Sequence, residues 1–308
     1  MSGQDILALG EPLIEMVRCD GKPDGPASYK SDVGGDALNA LVAAARQGAR
    51  TGLLSAVGDD PFGSHIRNFC MNERIETSNI KEFSQVSTGV CFIHPDPEAR
   101  HFTYARQGSA ASCYSVEDLP LDAVAKSKIL HITGVTQAIS PSMREAAFKA
   151  AQTARANGTL VSYDLNLRLK LWSLDEARAC INDFLPLANI VLPSDDEAET
   201  LLGTRNTDEI LEYFSQYGAD FVCLKRAARG VILRTQEAQI AIGAPTVEAI
   251  DSSGAGDSFA GAFLAYLLET NDPKEAATRA AHVAAKTVTG HGATAAIPSR
   301  DDILGLST

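Results

Sequence analysis

No C-x-x-C pair occurs in this 308-residue chain; its six cysteines (Cys19, Cys70, Cys91, Cys113, Cys180 and Cys223) stand far apart. Zinc ribbons and dithiol redox motifs need paired spacing, so both are excluded. A chain of this length needs no disulfide staples, and free thiols in a reducing compartment are expected. Long apolar runs are missing too. The stretch Ala260–Leu268 falls far short of the roughly 20 residues that a membrane-spanning helix requires. The start, MSGQDILALGE, lacks the basic and apolar regions of a signal peptide, so a soluble, cytoplasmic protein with no membrane partner is expected. Positive charge is scarce: 27 Lys and Arg stand against 39 Asp and Glu, a net charge of −12. Such a field argues against a nucleic-acid partner, although a local basic cluster can still receive a small anion. There is no charge block, internal repeat or low-complexity linker.

What remains is an ordinary globular composition, 45% hydrophobic and 21% charged. The length suits one α/β domain over residues 1–308. Ile6–Gly10 reads as a first strand, Asp36–Gln47 as a helix opened by Gly34-Gly35, Thr51–Val57 as a strand and Pro61–Asn72 as a helix. Thr88–Ile93 and Ala99–Ala105 flank the turn His94–Glu98, a hairpin signal. With Leu13–Cys19 and Tyr29–Ser31 they predict a small separate β-sheet, a lid inserted from about 12–33 and 86–107. Beyond residue 110 strands alternate with helices: Ile129–Ile132, Ser142–Ala156, Leu160–Asp164, Leu174–Leu187, Ile190–Leu192, Asp195–Leu202, Thr207–Tyr217, Phe221–Lys225 and Val231–Arg234. Ser258–Glu269 and Pro273–Thr289 close the chain as helices. This rhythm predicts a doubly wound, mostly parallel sheet flanked by helices. Ligands in such sheets bind beyond the carboxyl ends of the strands. The loops at Gly34-Gly35, Asn166–Arg168, Ser194–Glu197 and Gly254–Asp257 are therefore expected to converge.

The sharpest local signal is Gly254-Ala255-Gly256-Asp257, a small-residue turn entering an apolar helix. Glycines let successive N–H groups point at one spot, and a helix start adds unpaired donors and a positive dipole end. The result is an anion hole with a carboxylate at its rim. A plain tight turn with an N-terminal helix charge would use the same four residues. Read functionally, an anion hole beside a fixed base predicts phosphoryl transfer to a hydroxyl. The site is no Walker P-loop, because G-x-x-x-x-G-K-[ST] is absent.

Two long segments, GGDALNALVAAARQGARTGLLSAVGDDPFG from Gly34 and IDSSGAGDSFAG from Ile250, resemble the ribokinase-like, or PfkB, family of carbohydrate kinases. The resemblance implies that fold, with Gly34, Gly35 and Asn39 at the sugar and Asp257 as catalytic base. It implies an anion hole from the N–H groups of Ala255, Gly256 and Asp257, opened by Gly254. Glu197 matches an acidic residue that helps hold Mg²⁺ through water, although Ser194 replaces the family's asparagine. Ser194 and Glu197 equally spell a capping box. Lys225, Arg229 and Gly230 match a segment near ATP, with Ala227 in place of a glycine. Asp251 and Ser253 match positions that line a monovalent-cation site in some members, which makes K⁺ a candidate activator. The family also implies a homodimer through the lid sheet.

Residues 164–172 (DLNLRLKLW) and 104–112 (YARQGSAAS) resemble those of kinases for 2-keto-3-deoxygluconate. Arg106 and Arg168 offer forked donors suited to a carboxylate, and Tyr104 offers a ring wall and a hydroxyl. Alternatively, Arg106 lies exposed on the hairpin and Arg168 pairs with a core acid such as Asp164. A small sugar acid is thus the expected substrate, with fructose or ribose as the neutral alternative and a non-catalytic sugar-binding regulator as the competing class. Nucleoside and vitamin kinases of this fold favour clustered aromatics, which are absent near Gly34.

Overall fold

The structure, a computed structural model, describes residues 3–19, 27–94 and 101–304. Four apolar residues form β1 (Ile6–Leu9), buried on both faces. The chain leaves for β2 (Leu13–Arg18) and β3 (Tyr29–Gly34), then returns through α1 (Asp36–Arg46), β4 (Thr51–Gly58), α2 (Pro61–Asn72), β5 (Ile75–Glu76) and β6 (Ile80–Phe83). It departs again for β7 (Val90–His94) and β8 (His101–Ala105). Strand and helix then alternate: α3 (Leu121–Lys126), β9 (Ile129–Thr133), α4 (Gly134–Ala138), α5 (Pro141–Ala156), β10 (Leu160–Asp164), α6 (Leu174–Phe184) and β11 (Ile190–Leu192). Next come α7 (Asp195–Leu202), α8 (Thr207–Ser215), β12 (Phe221–Lys225), β13 (Val231–Thr235) and β14 (Gln239–Ile242). The chain finishes with α9 (Ala255–Thr270), α10 (Pro273–Thr287) and α11 (Arg300–Leu304).

The large sheet runs β14-β13-β12-β11-β10-β9-β1-β4-β5, with β6 beside β4. All its pairings are parallel except those of β13 and β14. This is the doubly wound, mostly parallel sheet that the alternation predicted. Asp164 at the end of β10 lies level with Thr133 of β9 and Leu192 of β11, so the carboxyl ends share one rim. Apolar layers cover both faces. One is built around α1, α9 and α10, the other around α5 and α6. The small sheet runs β3-β2-β7-β8. Its β2–β3 and β7–β8 pairs are antiparallel and its β2–β7 pair is parallel. Edge strand β8 is exposed along its whole length.

Some boundaries differ from expectation. The helix expected over 174–187 ends at Phe184, and Pro186 leaves only a single 3₁₀ turn beyond it. Helix α9 starts at Ala255 instead of Ser258, which places Asp257 within its first turn. Strand β14, short and half exposed, had not been anticipated. The expected turns at Asp20–Pro26 and Pro95–Glu98 lie outside the described residues.

Helices α1 and α9 carry site residues and cross at Gly261. A Cβ built there would lie 1.9 Å from the carbonyl oxygen of Ala40, so the two backbones meet without a side chain between them. Gly261→Val is expected to separate the helices and cost at least the roughly 1–3 kcal/mol of an overpacked core. Thermal unfolding should show a Tm lower by several degrees; an unchanged Tm would contradict this packing.

Candidate active site

Gly254 sets the entry into α9. Its φ of +73° belongs to the left-handed region, and an added Cβ would lie 2.6 Å from the Ala293 carbonyl oxygen. The Ala255 amide reaches back to the Ser252 carbonyl at 3.3 Å, and the Ser258 amide makes the helix-type bond to the Gly254 carbonyl. The amides of Gly256 and Asp257 fall between these two, at the positive end of the helix dipole. Asp251 fixes the loop from below, accepting from the Ser253 amide at 2.9 Å and from the Gly292 amide at 2.9 Å. Asp251 and Ser253 thus sit together beside the C-terminal loop.

Asp257 is held by two side-chain amides. Asn39 Nδ2 donates to Oδ2 at 2.8 Å and Asn166 Nδ2 donates to Oδ1 at 3.2 Å. Asn39 is aimed by Gly35, whose φ of +125° places its own carbonyl as acceptor for the Asn39 amide; an added Cβ there would lie 2.2 Å from the Glu11 carbonyl oxygen. Burial pushes the Asp257 carboxyl up to about 7, and the charge of Asp36 adds to the rise, while the Asn39 hydrogen bond opposes it.

Deeper, Lys225 Nζ pairs with Asp164 Oδ2 at 2.6 Å, both largely buried. Burial works against the lysine's charge, but the attraction of Asp164, Glu197 and Asp257 outweighs it and raises its pKa. A Cβ on Gly256 would lie 3.6 Å from Lys225 Nζ, so the ammonium sits just beneath the anion hole. Ala227 adopts φ +48°, the backbone that a glycine would take without strain, so the turn keeps its shape despite the replaced residue. Gly230 ends this turn before β13. Arg229 pairs with Asp195 and is largely exposed.

Glu197 performs the capping role: Oε2 accepts from the Ser194 amide at 2.9 Å, and the Glu197 amide donates to Ser194 Oγ. Its Oε1 accepts from the Leu167 amide at 3.1 Å, which binds the β10 loop to α7. The same carboxylate lines the cleft that runs to Gly254–Asp257, and its remaining lone pairs suit water-mediated contact to a cation. Among the described residues no three His, Cys, Asp or Glu side chains are grouped to hold a metal. A single carboxylate such as Glu197 fits Mg²⁺ that keeps its waters and leans on phosphate oxygens.

On the other side, Arg106 lies against Glu11, with Nη2 2.6 Å from Oε2, and its guanidinium is 5.2 Å from the Tyr104 ring centre. It is therefore a buried, paired group and not an exposed hairpin charge. Glu11 also accepts from Ser109 Oγ at 3.1 Å; burial raises its pKa and Arg106 opposes the rise. Gly34 ends β3 beneath Glu15, whose Oε1 would be 2.3 Å from a Cβ there. Arg168 is half exposed and pairs loosely with Glu197 at 4.0 Å, while Asp164 is taken by Lys225.

Two clefts meet here, of about 1260 and 1300 Å³. The first holds Lys225, Gly230, Glu197 and an apolar wall of Ala281, Ala284 and Val288. The second holds Gly35, Asn39, Tyr104 and Arg106 under the small sheet. Asp257, Gly254, Asn166 and Arg168 line both. Glu11 and Asp36 were not singled out from the sequence, Asn166 entered only as the start of a converging loop, and Asp164 only as a partner for Arg168. Their only signals were position, after β1, at the start of α1 and at the end of β10.

Residues 4–300 match the pfkB family of carbohydrate kinases, so the chain belongs to that family and is a sugar kinase. A 2-dehydro-3-deoxygluconokinase of Thermoproteus tenax is 32% identical over 303 residues, covering 96% of this chain and 91% of that one. A fructokinase of Salmonella typhimurium is 28% identical, covering 97% of each. An E. coli chain solved in complex with ATP and Mg²⁺ superposes with a TM-score of 0.92 at 25% identity, covering 99% of both chains. Relatives thus agree on the reaction class and divide over the sugar. No helix among the described residues is long and apolar enough to cross a membrane.

The raised Asp257 makes a stability prediction. Its folded carboxyl holds a proton up to about pH 7, its unfolded one only to about 3.8. The stability this proton supplies is present below pH 4 and lost as pH rises to 7, by at most about 4 kcal/mol. Relative to wild type, Asp257→Asn is expected to gain stability progressively between pH 4 and 7 and to hold that gain at pH 8. Denaturant unfolding at pH 4, 6 and 8 checks this; a difference independent of pH would contradict it.

Proposed function

We propose that the chain transfers the γ-phosphoryl group of ATP to a primary hydroxyl of a small sugar acid, with 2-keto-3-deoxygluconate the first candidate. The observation that carries this reading is the position of Asp257, on the wall common to both clefts and inside the first turn of α9. The sugar hydroxyl gives its proton to an Asp257 carboxylate oxygen while its own oxygen bonds to phosphorus. The bond from that phosphorus to the bridging oxygen breaks, and ADP leaves. A carboxyl raised to about 7 narrows the gap in proton affinity between base and hydroxyl. The Gly256 and Asp257 amides and the Lys225 ammonium face charge on the transferred group. Glu197 would hold Mg²⁺ through water, and the bound ion would supply neutralisation of phosphate charge. The small sheet covers the sugar cleft and limits access of water to the phosphoryl group.

The acid preference rests on Arg168, half exposed and lining both clefts. Resemblance to the Thermoproteus tenax relative supports it. A neutral sugar is the second reading, and the Arg106–Glu11 pair favours it: that guanidinium is already neutralised, which leaves Arg168 with Lys30 and Lys170 as the positive charges lining that cleft.

An ADP-release assay with ATP and Mg²⁺ tests both readings across 2-keto-3-deoxygluconate, its galacto epimer, gluconate, fructose, ribose and adenosine. Turnover confined to the keto-deoxy acids is expected, and turnover on fructose or ribose alone would discard the carboxylate clamp. Arg168→Ala should raise KM for the acid roughly 10–100-fold, the worth of one charge-assisted hydrogen bond. An unchanged KM would remove Arg168 from the clamp.

A further inference from the structure

We infer that Asp36 is a positioning residue that acts through Asp257: the two carboxylates share the amide of Asn166, and Asp36 keeps a second negative charge beside the base. Asn166 Nδ2 donates to Asp257 Oδ1 at 3.2 Å and lies 3.4 Å from Asp36 Oδ2, so one amide group spans both acids. The backbone of Asn166 takes φ +33°, an uncommon conformation for a side-chain-bearing residue, and the residue is buried. Its Oδ1, like Asn39 Oδ1, is buried with no hydrogen-bond partner, so neither amide is there merely to satisfy the protein's own donors. The expected role of an acid in the first turn of α1 is a helix-dipole charge facing solvent. Asp36 instead lines the sugar cleft.

The charges around Asp257 single Asp36 out. Asp164 from β10 faces Asp257 but is matched by Lys225 of β12 at 2.6 Å. Glu11, which faces Asp36 from the loop after β1, is matched by Arg106 at 2.6 Å. Arg168 opposes in part, from a half-exposed position 4.0 Å from Glu197. Asp36 forms no ion pair among the described residues, and of the acids facing Asp257 it raises that carboxyl most. A like charge beside a buried carboxylate makes it hold a proton more tightly, which is what a base for a weakly acidic hydroxyl requires. The amide bridge fixes the distance at which this acts.

The role in catalysis rests on Asp257 being the base, so the first test avoids activity. Thermal unfolding at pH 8 compares wild type, Asp36→Asn, Asp257→Asn and the double variant. Removing either charge should raise Tm, and Asp257→Asn should raise it less in the Asp36→Asn background than in wild type. Equal increments would overturn the pair; Asp36→Ser gives the same comparison should Asp36→Asn not fold. The second test is the pH profile of kcat/KM for 2-keto-3-deoxygluconate, or for fructose if that is the sugar turned over. Asp36→Asn should move the acid limb down by about one pH unit, and Asp36→Glu, which keeps the charge, should restore it. A limb that stays in place despite coupled Tm values would overturn the catalytic role and, with it, Asp257 as the base.

Discussion

The site depends on one buried carboxylate. Asp257 sits where a helix begins, and two asparagine amides from separate parts of the chain hold its two oxygens. Asn39 arrives on α1 and Asn166 on the loop after β10, so the geometry exists only when the sheet and both helices are assembled. Burial and a neighbouring acid make ionisation of this group costly. The stability of the rest of the fold, a large sheet covered by apolar layers on both faces, offsets that cost.

From this point two clefts of different character extend. Toward α10 the walls are small and apolar, with a lysine and a helix start at the near end, a setting for a flat ring and a phosphate chain. Toward the small sheet the walls carry acids, arginines and a tyrosine, a setting for a polyhydroxylated molecule. The buried Arg106–Glu11 pair joins the end of β8 to the loop after β1. It thereby fixes how the small sheet sits over the rim. Breaking one side of such a pair leaves the other charge buried and alone, a larger penalty than losing a surface bridge.

The fold was largely legible because hydrophobic periodicity and glycine punctuation are local. The alternation beyond residue 110 appears in the structure, as do the antiparallel pairing of β7 with β8 and the small sheet built from four separated segments. Pro186 should have shortened the helix expected to Leu187, but its apolar neighbours masked the break. Within the site, the Gly-Gly and Gly-x-Gly-Asp segments announced themselves because backbone conformation is written in glycine. Asp36 and Glu11 did not, and Asn166 entered only as the start of a converging loop, since an isolated acid or amide looks alike on a surface and in a core. What distinguishes them is company from other strands, 91 positions away in the case of Asn166 and Asp257. Likewise, Arg106 looked like an unpaired clamp because Glu11 lies far from it along the chain.

In the proposed reaction Asp257 takes the proton of the sugar hydroxyl. The most direct measurement is steady-state turnover of Asp257→Asn with ATP, Mg²⁺ and the sugar that wild type phosphorylates, paired with calorimetric ATP binding. Loss of a general base is expected to lower kcat about 10²–10⁴-fold while ATP still binds. Turnover near the wild-type rate in a folded, ATP-binding variant would contradict the account.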